Sequence, residues 1–195
     1  MSYGYRLNIE DIYLKSADEH WEMAKKEMVE VRDEDPISAE TIKFRAPTSS
    51  EGISSSVQAI VGWAISLEAF VNLAWNMSVA EKMPSSNLNN KLMRQLSTIE
   101  KLKEILRQSE VELENKYWLS ELKSLFELRN KLVHFKSTVE YVGFSFAPEF
   151  MKDFEEKRME KYRDSLACAV REIGLVVEVQ TDFIEGNYNV VYYDE

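Results

Sequence analysis

The chain has 195 residues, 45% of them hydrophobic, with six glycines and four prolines, which is enough apolar material for one helical domain and shows no compositional sign of disorder. A formal net charge of -10 excludes generic nucleic-acid binding, in which lysine and arginine neutralise phosphates along a backbone, and leaves room only for a local contact. With one cysteine and two histidines the chain makes no internal disulfide and no conventional zinc or iron site, so no metal or other cofactor is expected.

The N-terminus, MSYGYRLNIEDIY, lacks a basic stretch followed by an apolar core, so no secretory signal is expected and the expected setting is a reducing cytoplasm. Leu14, Ala17, Trp21, Ala24 and Met28 recur at helical spacing and predict a first helix over residues 10–31, with His20, beside Asp18 and Glu19, on its solvated side. Residues 32–50 (RDEDPISAETIKFRAPTSS) are acidic and contain prolines, which predicts a loop with at most one short turn. Ser49, Ser50 and the serines that follow are N-cap candidates for the next helix.

That second helix, over residues 54–80, is apolar nearly all round. Val57, Ile60, Val61, Ala64, Leu67, Val71 and Trp75 make one side, and Ala59, Trp63, Phe70, Leu73 and Met77 make the other. Its length is near the ~20 apolar residues of a membrane span. Glu68 in the middle, with Gln58, Asn72 and Asn76, points instead to a core helix or one that completes a subunit interface, and no membrane is expected. Glu68, Asn72 and Asn76 are spaced by four and form a polar line on this rod.

Residues 82–90 read as a turn, and residues 91–107 as a third helix with the stripe Leu92, Leu96, Ile99, Leu102, Lys103 and Leu106. Residues 117–136 (YWLSELKSLFELRNKLVHFK) form an amphipathic helix whose stripe runs Trp118, Leu119, Leu122, Leu125, Phe126, then Leu132 and Val133. Where another leucine is expected stands Arg129. Residues 137–150, broken by Gly143 and Pro148, predict a loop or short hairpin whose aromatics either seal the core or stack a base. A last helix from about residue 151 carries Phe154, Met159, Tyr162, Leu166, Ala169, Val170, Ile173 and Val177, with Gly174 a candidate terminator. Cys168, in the run SLACAV, fits a small buried apolar position better than a catalytic thiol, because no activating base lies nearby in sequence. The tail, residues 185–195, reads as a strand or an exposed arm.

Arg129 cannot shed its charge on burial, so it needs a carboxylate, a phosphate or water at that spot. Asn130 and His134 lie one turn apart on the adjoining side of the same helix. One reading makes Arg129 a snorkelling side chain, Asn130 a surface residue and His134 a histidine favoured by the helix dipole. The other makes them a site. Around them Lys123, Arg129, Lys131 and Lys136 outnumber Glu121 and Glu127, a small basic seam suited to a phosphate-containing ligand, although Lys123 and Lys131 equally fit a solvated face. Glu68, with Asn72 beside it, is expected to face Arg129 as a buried pair, whose loss would cost on the order of 3 to 5 kcal/mol. RNA cleavage needs no metal, because the substrate brings its own 2'-hydroxyl nucleophile and requires only an acid or base and a cation.

The segment Arg129-Asn130-Lys131-Leu132-Val133-His134 resembles the R-x4-6-H motif, with a polar residue directly after the arginine, of the HEPN superfamily of helical bundle ribonucleases and related proteins. The apolar helix ISLEAFVNLAW, residues 65–75, is similar to the helix that precedes the motif in many bacterial members. The resemblance covers roughly residue 54 to the end of the last helix. It implies an all-α, antiparallel bundle of about five helices, here with the irregular or hairpin insertion near residues 137–150, and a homodimer in which two motif helices meet. It also implies metal-independent endoribonucleases of toxin-antitoxin, phage-defence or RNA-processing systems, or relatives that have lost catalysis. The subgroup that pairs with a nucleotidyltransferase antitoxin usually has tyrosine two residues after the histidine, where this chain has Lys136.

Two functions follow as expectations. As an endoribonuclease leaving 2',3'-cyclic phosphate, the chain would use His134 as acid or base, Arg129 on the phosphate, Asn130 to orient one of them, Glu68 and Asn72 in support, and Lys131 and Lys136 as RNA contacts. As a non-catalytic dimerisation module, it would use the same residues as a polar lock and offer its acidic surface to an antitoxin or other protein. A single domain is expected, with residues 1–50 packing on a bundle over 51–184 and a tail over 185–195.

Overall fold

The computed structural model describes residues 4–34, 41–83, 85–114, 116–134, 149–187 and 191–194. In chain order these form β1 (Gly4–Leu7), α1 (Ile9–Lys26), β2 (Met28–Glu34), β3 (Thr41–Pro47), α2 (Ser50–Ser78), α3 (Ser86–Gln95), α4 (Thr98–Gln108), α5 (Tyr117–Val133), the short α6 (Glu149–Asp153), α7 (Glu156–Val177) and β4 (Val191–Asp194), with 3-10 turns at Ala80–Lys82 and Asp182–Glu185. The fold is mostly helical, but it is not all-α: β1 pairs with β4 and β2 with β3, both antiparallel.

Helix α2 starts where Ser49 accepts a hydrogen bond from the Gly52 amide at 3.0 Å, an N-cap that satisfies one orphan donor of the first turn. Ala59, Ile60, Trp63, Ala64, Leu67, Phe70, Val71 and Ala74 have no exposed surface and make one broad buried face, while Gln58 and Asn76 on the opposite flank are exposed and Val61, Ile65, Glu68 and Asn72 there are half-buried. Helices α1, α4, α5 and α7 all pack against it. By length and composition α2 could also cross a membrane, yet more than half of its most apolar window is buried inside the protein.

Helix α1 makes the closest approach. A Cβ at Gly62 would stand 2.8 Å from the Ala17 Cβ and 3.2 Å from the Tyr13 carbonyl, so glycine and alanine let the two backbones touch. Leu14, Ala17, Trp21 and Ala24 form the buried stripe, and Trp21 meets Trp63 edge to face at 6.1 Å. The polar groups of α2 on this side all find partners. Trp63 Nε1 donates to Asp18 Oδ1 at 2.8 Å, and Ser66 Oγ donates to the Glu10 carbonyl at 2.7 Å. His20 is half-buried, with its Nδ1 enclosed and without a hydrogen-bond partner, and so is not the solvated residue expected.

The chain departs from the expected elements at three junctions. Helix α1 ends at Lys26, and the residues read as its end and the loop after it form the β2–β3 hairpin, in register Met28↔Pro47, Val31↔Phe44 and Glu34↔Thr41. Met28 is buried, as helical spacing predicts, but as the first residue of a strand, and the β-branched alternation of Val29 and Val31 belongs to strand geometry. Phe44 and Ala46 turn inward, and Arg45 reaches Glu156 at the start of α7 through hydrogen bonds of 2.8 and 2.7 Å.

The expected third helix is two. Leu96 is extended, and Ser97 with Glu100 forms a capping box that starts α4 afresh, a signal legible in the S-T-I-E sequence. The last helix is likewise interrupted, at the buried Phe154 and at Glu155, between α6 and α7. Gly174 lies inside α7 rather than ending it. A Cβ there would meet Thr181 Cγ2 at 2.2 Å, and the helix stops at Val177 with Glu178 in the left-handed conformation. The tail strand β4 pairs with β1, Gly4↔Asp194 to Leu7↔Val191. Most of the loop or hairpin expected at 137–150 lies outside the described residues.

Arg163 of α7 binds Asp18 through two hydrogen bonds, 2.8 and 2.9 Å, and also the Ile184 carbonyl at 3.2 Å, joining α1, α2, α7 and the turn at Asp182–Glu185. The pair is only 19% and 25% exposed. Arg163→Ala should therefore lower stability by about 2 kcal/mol. Arg171→Ala, also on α7, which removes the exposed pair with Glu185 of the turn at Asp182–Glu185, should cost less than about 1 kcal/mol. Urea unfolding of both variants beside wild type measures the difference.

Candidate functional site

On α5 the buried positions are Trp118, Leu122, Leu125 and Leu128. The stripe is thus continuous. Leu128 fills the turn at which Arg129 was expected to interrupt it, and Arg129 stands at its edge with 27% of its side chain exposed. Leu119, Phe126 and Leu132 pack half-buried against the core, whereas Val133 is exposed.

Arg129 Nη2 lies 4.0 Å from Glu68 Oε2, and its Nη1 donates to Asn130 Oδ1 at 2.9 Å. Its Nε is enclosed and has no hydrogen-bond partner among the described residues. Glu68 and Arg129 do come together, but at the rim: Glu68 is 43% exposed, so the contact is not the buried pair the apolar surroundings suggested. The cost of breaking it falls accordingly.

Asn72 does not join Arg129. Its Oδ1 accepts a hydrogen bond from Lys101 Nζ of α4 at 2.8 Å. Lys101 is 5% exposed and was missed in the sequence, where Lys103 was placed on the stripe; Lys103 is exposed, and the inner face of α4 is Thr98, Lys101, Leu102, Ile105 and Leu106. The signal was present, since Asn72 on a buried helix needs a donor and Lys101 lies one turn from Thr98 and Ile105. Burial holds the Lys101 pKa below its usual value, and the nearby Glu68 carboxylate works against that shift.

His134 is the exposed residue that ends α5, its backbone amide bonded to the Asn130 carbonyl at 3.0 Å. Lys131 is engaged by Asp153 of α6 at 2.7 Å, and Lys136 lies outside the described residues. The seam therefore holds one carboxylate, Glu68, beside two cations, Lys101 and Arg129, with an amide at each side and an imidazole beyond the helix end. Its chemistry favours an anion. Two cations beside one carboxylate, with part of the Arg129 guanidinium exposed, suit a phosphate oxygen.

A separate cleft of about 700 Å³ opens between α1 and α7, lined among others by Asp18, Trp21, Arg163 and Cys168. Cys168 is half-buried there rather than a sealed core residue, and Tyr117 Oη lies 3.3 Å from its Sγ. That contact raises the Tyr117 pKa above its ordinary value. Among the described residues no group of three or more histidine, cysteine, aspartate or glutamate side chains is placed to hold a metal ion. No protein-family model, curated protein or solved structure matches the chain.

Glu68→Ala should cost about 1 kcal/mol or less, because a half-exposed pair at 4.0 Å is screened by solvent. Lys101 predicts a pH effect of definite sign. Its folded pKa lies below the 10.5 of the free side chain, so the folded state releases its proton first and the burial penalty is relieved as pH rises through that window. Wild type should gain stability relative to Lys101→Met between about pH 7.5 and pH 10. Parallel urea titrations at the two pH values read this difference, and a constant gap would contradict the burial of a charged lysine.

Proposed function

We propose that the chain is a metal-independent endoribonuclease of HEPN type, with a HEPN-like bundle over residues 51–184, α2 to α7, on which α1 packs. The observation that carries this reading is Arg129: a partly exposed guanidinium at the rim of the core, steadied by Asn130 and Glu68, on the helix that the exposed His134 caps. The resemblance of residues 129–134 to the family motif supports it from the sequence side.

In the reaction, the 2'-oxygen of the RNA attacks the adjacent phosphorus and the bond from phosphorus to the 5'-oxygen breaks. His134 takes the proton of the 2'-hydroxyl or gives one to the departing 5'-oxygen. Arg129 stabilises the charge that builds on the non-bridging oxygens. Asn130 orients Arg129 rather than His134, since its Oδ1 accepts from the guanidinium. One chain carries one such histidine, so acid and base together call for two copies with their motif helices at a common cleft. The setting proposed is cytoplasmic toxin-antitoxin or phage defence, with an antitoxin or other protein as partner.

Purified protein should cleave single-stranded RNA with EDTA present, leave 2',3'-cyclic phosphate ends and spare DNA. His134→Ala should reduce the rate by about 10²-fold or more with little change in melting temperature. Equal cleavage by both proteins would mark a contaminant. No cleavage by either across varied RNAs would favour the non-catalytic dimerisation module.

A further inference from the structure

Beside α4 lies an apolar groove of about 530 Å³, floored by Trp75 and Val79 of α2 and walled by Met83, Leu92, Leu96 and Leu113. Helix α3, which forms one wall, has no buried residue, and Leu88, one turn before Leu92 on the same face, is 40% exposed. An apolar strip of this kind, edged by charge, is a surface that normally meets a partner. The edge is supplied by Glu100, Lys103, Glu104 and Arg107 of α4. These positions recur at helical spacing and form one outer stripe, opposite the inner stripe that carries Lys101.

The order of charges identifies the partner. Along the stripe the signs run negative, positive, negative, positive, and the pattern has a two-fold centre between Lys103 and Glu104. When a second α4 is laid antiparallel across it, Glu100 of one copy faces Arg107 of the other, and Lys103 of one faces Glu104 of the other. Every contact joins opposite charges. A two-fold axis that runs the helices antiparallel also leaves both grooves on the same side, so each apolar strip is covered by its own counterpart. We infer that this face binds a second copy of the chain through an isologous α4–α4 contact. The surface is distinct from the motif seam, and a chain that uses both assembles beyond a dimer.

In the lone chain Arg107 is held by Glu104 of the same helix, through hydrogen bonds of 2.9 and 2.8 Å, and Glu100 closes the capping box. Lys103 and Glu104 are therefore the positions to exchange, because Glu100 also starts the helix. Lys103→Glu sets two carboxylates against each other across the axis and should weaken self-association by at least about 10-fold. The double exchange Lys103→Glu with Glu104→Lys restores opposite signs and should recover most of it. Leu92→Glu, on a helix with no buried residue, should disrupt the apolar contact while the chain stays folded by circular dichroism.

Sedimentation equilibrium of the full chain and these variants reads the result. A wild type that is monomeric at concentrations up to about 100 µM overturns the inference. So does an oligomer whose stability is unchanged by both Lys103→Glu and Leu92→Glu, which would place the contact elsewhere, including at the motif helices. Loss in each single variant with recovery in the double exchange supports it, whatever the outcome of the RNA assay.

Discussion

Helix α2 has to be covered over more than half of its circumference, and much of the molecule is arranged to do it. Trp63, Phe70, Leu67 and Ile60 lie in the middle of its buried face and none is exposed, and Gly62, Ser66, Ala64 and Trp75 widen that face to more than half of the circumference. Such a rod is stable in water only if several elements surround it, because each uncovered apolar flank costs about 25 cal/mol per Å². Small residues set how near the neighbours come: Gly62 against Ala17 brings α1 into backbone contact, which larger side chains would forbid. The hairpin β2–β3 and the capping of α2 by Ser49 fix where the rod begins.

The same constraint explains where the polar chemistry lies. On the covered flanks a helix cannot leave its polar groups to water, so they bond within the helix, as Ser56 does to the Gly52 carbonyl, or are answered from a neighbouring element. Trp63 finds Asp18 of α1, Trp75 finds Asn89 of α3, Ser66 finds the Glu10 carbonyl, and Asn72 finds Lys101 of α4. Asp18 in turn requires Arg163, which ties α7 to the same side. Of the same polar line, Asn76 is exposed and Glu68 reaches the rim, where Arg129 stands near it.

The seam is therefore a consequence of core packing before it is anything else, and its charge balance is the feature that packing alone does not demand. One carboxylate would suffice for one cation, yet Lys101 and Arg129 both adjoin Glu68. In a protein whose net charge is -10, a local surplus of positive charge matters more than it would on a basic surface, since the rest of the molecule repels a polyanion. The proposed RNA contact accordingly involves a few groups at one place. Arg129, with Nη1 held by Asn130 and part of its guanidinium exposed at the rim, is suited to a single phosphodiester.

Much of this was determined by the sequence through local periodicity. The buried stripe of α1, the broad apolar face of α2, the polar spacing of Glu68 and Asn72 and the helical setting of Arg129 and Asn130 follow from which residues recur every three or four positions, a property of the chain alone, whereas the second flank of α2, expected to be buried too, is partly exposed at Met77 and Leu73. Local capping also carried the break before α4, in Ser97 and Glu100, although the apolar stripe running across it hid the signal. Other features were decided only by tertiary structure. Met28 satisfies a helical and a strand pattern equally, and pairing with Pro47 across the hairpin settles which one it takes. Leu128 and Arg129 are adjacent on one helix, and the position of α2 determines that the leucine is buried and the arginine left at the rim. Lys101 and Lys103 have the same intrinsic chemistry; one is buried because Asn72 lies opposite it. Periodicity specifies faces, whereas partners across helices are set by how those faces meet, and that depends on contacts far apart in the chain.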